Sequence, residues 1–202
     1  MYLVYRKEID STQLFAKQIF NKINDKIIVV VAESQSSGMG RNSRSWMSSP
    51  GGLYFTLVLK DIKLPDPVSA YIPLALTDFF YEKYKIETSI KWPNDIYFNS
   101  KKLCGILIDN IINTNLNYRF IGIGINYNNI INKSSAGADC ISLSEIIGEP
   151  IGLSSIKEST ELSLKILDTS KYFLNNENNI IEKYSEKSIV LNKVVEIILS
   201  DG

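Results

Sequence analysis

Ile96-Tyr97-Phe98-Asn99-Ser100-Lys101-Lys102-Leu103-Cys104-Gly105-Ile106-Leu107-Ile108 holds two apolar runs on either side of a polar, turn-forming tetrad. By residue type, 96–98 and 103–108 are strands, and Asn99-Ser100-Lys101-Lys102 is the hairpin turn between them. Hairpin-joined strands are antiparallel neighbours, so this stretch argues against an all-parallel, doubly wound sheet. The surrounding chain mixes helices with such strands. Upstream, residues 2–8 read as a strand. Asp10-Ser11-Thr12 offers an N-cap to an amphipathic helix with Leu14, Phe15, Ile19 and Ile23 on its apolar face. Residues 27–32 form a β-branched run suited to a buried strand, and 53–59 return to strand after a long polar stretch. Pro65 and Pro67 precede a helix over 68–84, and 89–92 is a short strand. Downstream, a strand over 118–126 and a loop over 128–139 lead to a short helix over 142–147. A longer helix over 153–173 is followed by a second helical piece through 187, and 190–199 reads as one more strand. The pattern predicts an α+β fold, a mixed β-sheet backed by helices.

Composition narrows the chemistry. The 202 residues carry 22 basic and 22 acidic side chains, so no global field draws the chain to nucleic acid or an anionic membrane. Any attraction to phosphate must be local. Histidine is absent, which excludes Ser-His-Asp and Cys-His nucleophile systems, histidine bases and histidine metal sites. Cys104 and Cys140 form no CxxC pair and read as reduced thiols. Charge appears within the first eight residues, too early for a signal peptide, and no apolar run reaches membrane-spanning length. The expectation is a cytoplasmic chain.

Three stretches carry chemistry. Gly38-Met39-Gly40-Arg41-Asn42-Ser43-Arg44-Ser45-Trp46 lies in a long Ser/Gly/Arg-rich loop over residues 35–50. Its glycines permit close backbone approach to an anion, Arg41 and Arg44 neutralise charge, and Trp46 offers a face for a base. It fits neither the Walker nor the dinucleotide pattern; taken alone, a solvated loop would account for it. Lys91-Trp92-Pro93-Asn94-Asp95 uses a proline to turn a cation, an amide and a carboxylate toward one space. Lys102-Leu103-Cys104-Gly105-Ile106-Leu107 sets a lysine at the mouth of an apolar strand. A later strand ends Gly122-Ile123-Gly124-Ile125-Asn126, where the glycines allow a ligand to approach the backbone.

In this order the stretches resemble the catalytic domain of biotin protein ligases. That family carries Gly-Arg-Gly-Arg-x-x-Arg-x-Trp, Lys-Trp-Pro-Asn-Asp, Lys-x-x-Gly-Ile-Leu and Gly-x-Gly-x-Asn, and the likeness runs from about Asp10 to Asn126. Met39 stands where the family has its first arginine, a departure that bears on adenylate retention more than on the chemistry. The resemblance implies a sheet related to the class II aminoacyl-tRNA synthetase core, with a catalytic domain over 1–187. Residues 188–202 would begin a small, incomplete C-terminal β-barrel-like domain, and no DNA-binding domain would precede the catalytic one. It further implies that biotin and ATP, with Mg²⁺, give biotinyl-5'-AMP, whose biotin passes to a lysine of a biotin carboxyl carrier protein of an acetyl- or propionyl-CoA carboxylase. Ser11, Thr12, Gln35, Gly38, Arg41, Lys102, Gly105, Ile106, Gly122 and Gly124 would then border biotin. Gly40, Arg41, Arg44, Trp46, Asn94, Lys102 and Asn126 would hold the nucleotide. Lys102, Arg41, Lys91 and Asp95 would be catalytic, and no protein metal ligand is implied. Cys104, at a variable position, reads as core. A homodimer through sheet edges also occurs in the family. Lipoate and octanoate ligases or transferases share the fold but typically use a histidine. A catalytically weak biotin-binding regulator is the other alternative, and ATP use separates it from an enzyme.

Overall fold

In the computed structural model, which describes residues 1–113, 116–131, 139–176, 179–191 and 194, seven strands form one mixed sheet in the order β1-β2-β3-β7-β6-β5-β4. They are β1 (Tyr2–Ile9), β2 (Ile27–Gln35), β3 (Leu53–Lys60), β4 (Ser89–Lys91), β5 (Asp95–Phe98), β6 (Lys101–Asn113) and β7 (Leu116–Ile125). Only β1 and β2 run parallel, joined through helix α1 (Thr12–Ile19); the other neighbours are antiparallel. The helices α2 (Val68–Tyr84), α4 (Ser155–Leu174) and α5 (Ile180–Lys187) pack together, and short α3 (Leu143–Ile147) starts on a Ser142–Glu145 capping box. The fold is the α+β architecture that the residue pattern implies.

Register sorts residues cleanly between the faces of β3, β7 and β6. Leu53, Ile125 and Cys104 form one cross-strand row, Phe55, Ile123 and Ile106 the next, and Leu57, Ile121 and Ile108 a third. These rows point to α2 and α4 and belong, except for half-buried Ile108 at its edge, to the main buried core. The intervening rows face the other way: Tyr54–Gly124–Gly105, Thr56–Gly122–Leu107 and Val58–Phe120–Asp109. The last of these is covered by helix, where Ala16 of α1 and Phe20 just beyond it pack with Val58 and Phe120 in a smaller core, and the first turn of α1 reaches over Thr56 and Gly122 of the row before it. The two glycine rows are left for the site.

Three expectations need correction. The hairpin turn is two residues, not four: Asn99 and Ser100 both take positive φ (46° and 66°), the geometry that matches strand twist across a two-residue loop. Lys101 and Lys102 therefore already belong to β6 and pair with β5. In α1, Leu14 is 40% exposed, whereas Thr12 and Gln13 are buried. The sheet beneath that turn presents fully buried Thr56, so polar side chains find partners there that leucine could not. The helix also stops at Ile19, and Ile23 lies beyond a 3₁₀ turn (Phe20–Lys22). Of the loop read over 128–139, residues 132–138 lie outside the described residues, as does most of the strand read over 190–199. Before it, Ser188 bridges Ile90 and the Ile189 N–H donates to the Ile90 carbonyl, lining the β4 edge.

Candidate active site

A cleft of about 740 Å³ opens over the glycine rows. The three motif stretches and the floor reach it from different elements. Ser11 and Thr12 come from the start of α1, Gln35 from the end of β2, and Gly40, Arg41, Arg44 and Trp46 from the long loop. Lys91, Asn94 and Asp95 come from the β4–β5 segment, Lys102, Gly105 and Ile106 from β6 (Ile106 by its backbone, its side chain lying in the helix-side core), and Gly122, Gly124 and Asn126 from β7 and its exit. All the residues singled out in the sequence line it except Gly38. There a Cβ would lie 2.3 Å from the Trp46 carbonyl and 2.5 Å from Ser48 Oγ, so the loop's own closure demands that glycine. The Gly40 N–H is likewise spent inside the loop, donating to the Arg44 carbonyl at 2.7 Å. Side-chain cations, rather than a nest of free N–H groups, therefore supply the positive charge.

That charge is local. Among the described residues, Arg41, Arg44, Lys91 and Lys102 line the cleft against one carboxylate, Asp95, in a chain whose formal net charge is zero. Four cations against one anion attract a polyanion regardless of the overall balance. Lys102 Nζ lies 2.8 Å from Asp95 Oδ2 and 5.1 Å from the centre of the Trp46 ring. Asp95 Oδ1 is buried with no partner. Asn94 ties the motifs together: its Oδ1 accepts from Arg41 Nη1 at 3.1 Å, and its Nδ2 donates to the Ile106 carbonyl at 2.6 Å. The Ile106 N–H returns a bond to the Asn94 carbonyl. Asn94 is thus a clamp between the loop, the β4–β5 turn and β6.

The Trp46 indole lies on the floor. A Cβ on Gly124 would meet its Nε1 at 2.4 Å, and one on Gly105 its Cζ3 at 2.8 Å, so both glycines are needed for that contact. Its Nε1 is buried and unpartnered. At the other end of the floor a Cβ on Gly122 would sit 2.7 Å from Gln13 Oε1. Gln13, buried and lining the cleft, is a site residue that sequence reading missed. The signal was Thr56, the single polar residue in the apolar run 53–59: a buried hydroxyl there needs a partner from the element above. Cys140 also lines the cleft, whereas Cys104 is fully buried on the helix side; both are free thiols. Burial pushes the Cys140 thiol up, with Lys102 pulling the other way.

A mixed sheet with one face closed by helices and the other presenting glycines beneath a cationic loop defines a protein built to hold an extended, anionic ligand against a strand floor. The chain belongs to the biotin/lipoate A/B protein ligase family, whose model matches residues 5–126. It is 36% identical over 157 residues to the bifunctional ligase/repressor BirA of Bacillus subtilis, covering 74% of this chain and 48% of the relative. The chain thus spans about half the length of that relative. Among solved structures, it is similar to the biotin protein ligase from Aquifex aeolicus in complex with biotin and ATP: TM-score 0.78 at 27% identity, over 93% of this chain and 78% of that one. The biotin protein ligase from Leishmania major in complex with biotin superimposes with a TM-score of 0.77, over 99% of this chain and 86% of that one. At 22% identity that second likeness speaks for the fold alone. Among the described residues no helix is long and apolar enough to cross a membrane.

Proposed function

We propose that this chain activates biotin with ATP as biotinyl-5'-AMP and passes the biotin to a lysine of a biotin carboxyl carrier protein of an acetyl- or propionyl-CoA carboxylase. The observation that carries this reading is the convergence of Arg41, Lys91, Asn94, Asp95 and Lys102 beside a glycine floor in one cleft. The likeness to a ligase solved with biotin and ATP supports it.

In the first step a biotin carboxylate oxygen attacks the α-phosphorus of ATP, the bond to the β-phosphate oxygen breaks, and pyrophosphate leaves. A carboxylate is ionised at neutral pH, so no general base is required, in keeping with a chain without histidine. What the protein must supply is alignment and positive charge for the phosphoryl oxygens. Lys102 and Arg41 are placed for this, with Lys91 on the triphosphate side. Trp46 and Asn126 border the nucleotide, while Ser11, Thr12 and Gln35 meet the ureido end of biotin. Among the described residues no group of three acidic or thiol side chains is arranged to hold a metal. Mg²⁺ would arrive with the triphosphate, where it would neutralise charge, and the unpartnered Asp95 Oδ1 is the oxygen that would meet it. In the second step a lysine amine attacks the acyl carbon and AMP leaves. Asp95 is the nearest carboxylate to take the amine proton.

The test is ATP–pyrophosphate exchange with biotin, with lipoate and with neither. Biotin-dependent exchange is expected. Exchange with lipoate alone would transfer the reading to the other branch of the family, and biotin binding without exchange would make the chain a sensor. Transfer is tested separately on a carrier domain, where Asp95→Asn should slow transfer more than adenylation.

A further inference from the structure

The floor of the cleft beside α1 carries a hydrogen-bonded row with an odd balance of protons. Gln13 Nε2 donates to Asp109 Oδ2 (3.1 Å) and to the Phe120 carbonyl (3.2 Å), two groups that can only accept. That fixes the Gln13 amide with Oε1 toward Thr56 Oγ1 at 3.1 Å. Thr56 Oγ1 lies 3.0 Å from Thr12 Oγ1, which lies 3.1 Å from Gln35 Oε1. The Gln35 amide is fixed in turn, because its Oε1 accepts the Thr12 N–H at 2.8 Å and its Nε2 donates to Ser48 Oγ at 2.7 Å. Between the two amide oxygens there are three close oxygen–oxygen contacts, and the two threonine hydroxyls supply only two hydrogens. One of the three contacts therefore carries no hydrogen, and the row has acceptor capacity left over for a donor from outside these four residues. Buried acceptors left without a donor are costly, and a ligand that brings one is favoured over a ligand that does not.

The arrangement holds only while Gln13 keeps its oxygen inward. Lys17 Nζ lies 2.6 Å from the same Asp109 Oδ2 that receives Gln13, so lysine aims the carboxylate at the amide. Both partners are about a third exposed (32% and 33%) and neither lines the cleft. We infer that Asp109, aimed by Lys17, is a positioning residue that sets the hydrogen-bond polarity of the cleft floor, and so selects a ligand offering an N–H donor at the end remote from its carboxylate. This rests on the proposed function: the ureido ring of biotin carries two such N–H groups, while a dithiolane or a plain alkyl chain carries none.

The variants separate polarity from charge and from packing. Asp109→Asn can still present an oxygen to both Gln13 and Lys17, and should keep biotin affinity within about threefold. Asp109→Ala leaves the Phe120 carbonyl alone to hold the Gln13 NH₂ and places an unpaired Lys17 ammonium near the amide, which loosens the inward aim of Gln13 Oε1. Biotin affinity should fall about tenfold, the usual consequence of one misdirected buried hydrogen bond. Affinity for octanoate, an acid with no N–H, should stay unchanged. A purely structural role would weaken both ligands together. Titration calorimetry of biotin and octanoate against the wild-type chain and the two variants reads this directly. A wild-type chain with no preference for biotin sinks the functional reading and the inference with it. A wild-type preference that survives in Asp109→Ala, or an equal loss of both ligands, overturns the inference alone. Should Asp109→Ala fail to fold, Lys17→Met carries the test, with an expected loss of about threefold for biotin only and unchanged biotin affinity as the overturning result.

Discussion

The two faces of the β3–β7–β6 sheet are made from the same strands and obey opposite rules. On the helix side, the register positions are apolar residues packed in the main core, and Phe55, Ile123 and Ile106 lie side by side with almost no exposure. On the cleft side, the neighbouring positions of the same strands are Gly105, Gly122, Gly124 and Thr56. Interiors are packed too densely to leave room for a ligand by accident. Here room is made by removing side chains from one face while the alternate residues go on supplying the core. Stability and ligand binding are thereby separated to adjacent residues of one strand, 3.3–3.4 Å of rise apart in an ordinary strand. Substitutions one residue apart should therefore damage different properties.

The largest effect should come from the helix face. Ile123→Ala empties a site that is 3% exposed between Phe55 and Ile106, and should cost about 2–5 kcal/mol of unfolding free energy in denaturant titration. Affinity for biotin in the folded fraction should stay near the wild-type value. Next, on the cleft side, Lys102→Ala should reduce biotin-dependent pyrophosphate exchange about 100-fold or more, by comparison with the loss of an oxyanion donor. Its melting temperature should fall less than that of Ile123→Ala, although the change leaves Asp95, 21% exposed, without its cation. Exchange within a few-fold of wild type would remove Lys102 from the chemistry. Gly124→Ala, one residue from Ile123, comes third. The added methyl would meet Trp46 Nε1 at 2.4 Å, and the indole must leave the floor. Ligand affinity should fall about tenfold, and tryptophan emission should shift to the red with only a small loss of stability. A Gly124→Ala protein as unstable as Ile123→Ala would break the separation of the two faces.

How much of this was legible follows from the same contrast. Alternation of glycine and isoleucine over residues 122–125 can be read directly, because a strand's period of two assigns the faces without knowledge of its neighbours. Likewise Lys91, Asp95 and Lys102 could be gathered into one site, since motif order and a hairpin bring them together over few residues. Gln13 could not. Helical periodicity assigned the apolar face to Leu14 and left Gln13 to solvent, which holds when the surface beneath a helix is apolar. The surface beneath the first turn of α1 includes Thr56 and the Gly122 backbone, contributed by strands more than 40 residues away in sequence. Asp109 and Lys17 were hidden for the same reason: 92 residues separate two side chains that meet only once register is set. The loop glycines have a role that residue type alone does not show, since Gly38 by its missing Cβ and Gly40 by its N–H serve the loop's own closure.

The chain's two thiols give the smallest but most direct readout of the faces, because one lies on each side. Cys104 sits in the helix-side row with Leu53 and Ile125, fully buried, and burial pushes its thiol well up. The thiolate is the reacting species, so Cys104 should resist iodoacetamide until the protein unfolds. Cys140 is 8% exposed and lines the cleft. Burial raises its thiol too, while the Lys102 ammonium lowers it and Asp139 and Asp95 raise it. A raised value means less thiolate at a given pH. Alkylation of Cys140 in the folded chain should therefore climb with pH to beyond the range where an ordinary cysteine has levelled off. Lys102→Ala removes the one charge that lowers it, so the alkylation rate at pH 8 should drop. Biotin with ATP should shield Cys140 and leave Cys104 as it was. Mass spectrometry of the two tryptic peptides distinguishes the outcomes, and equal labelling of both cysteines in the folded chain would mean that the helix-side face is not closed.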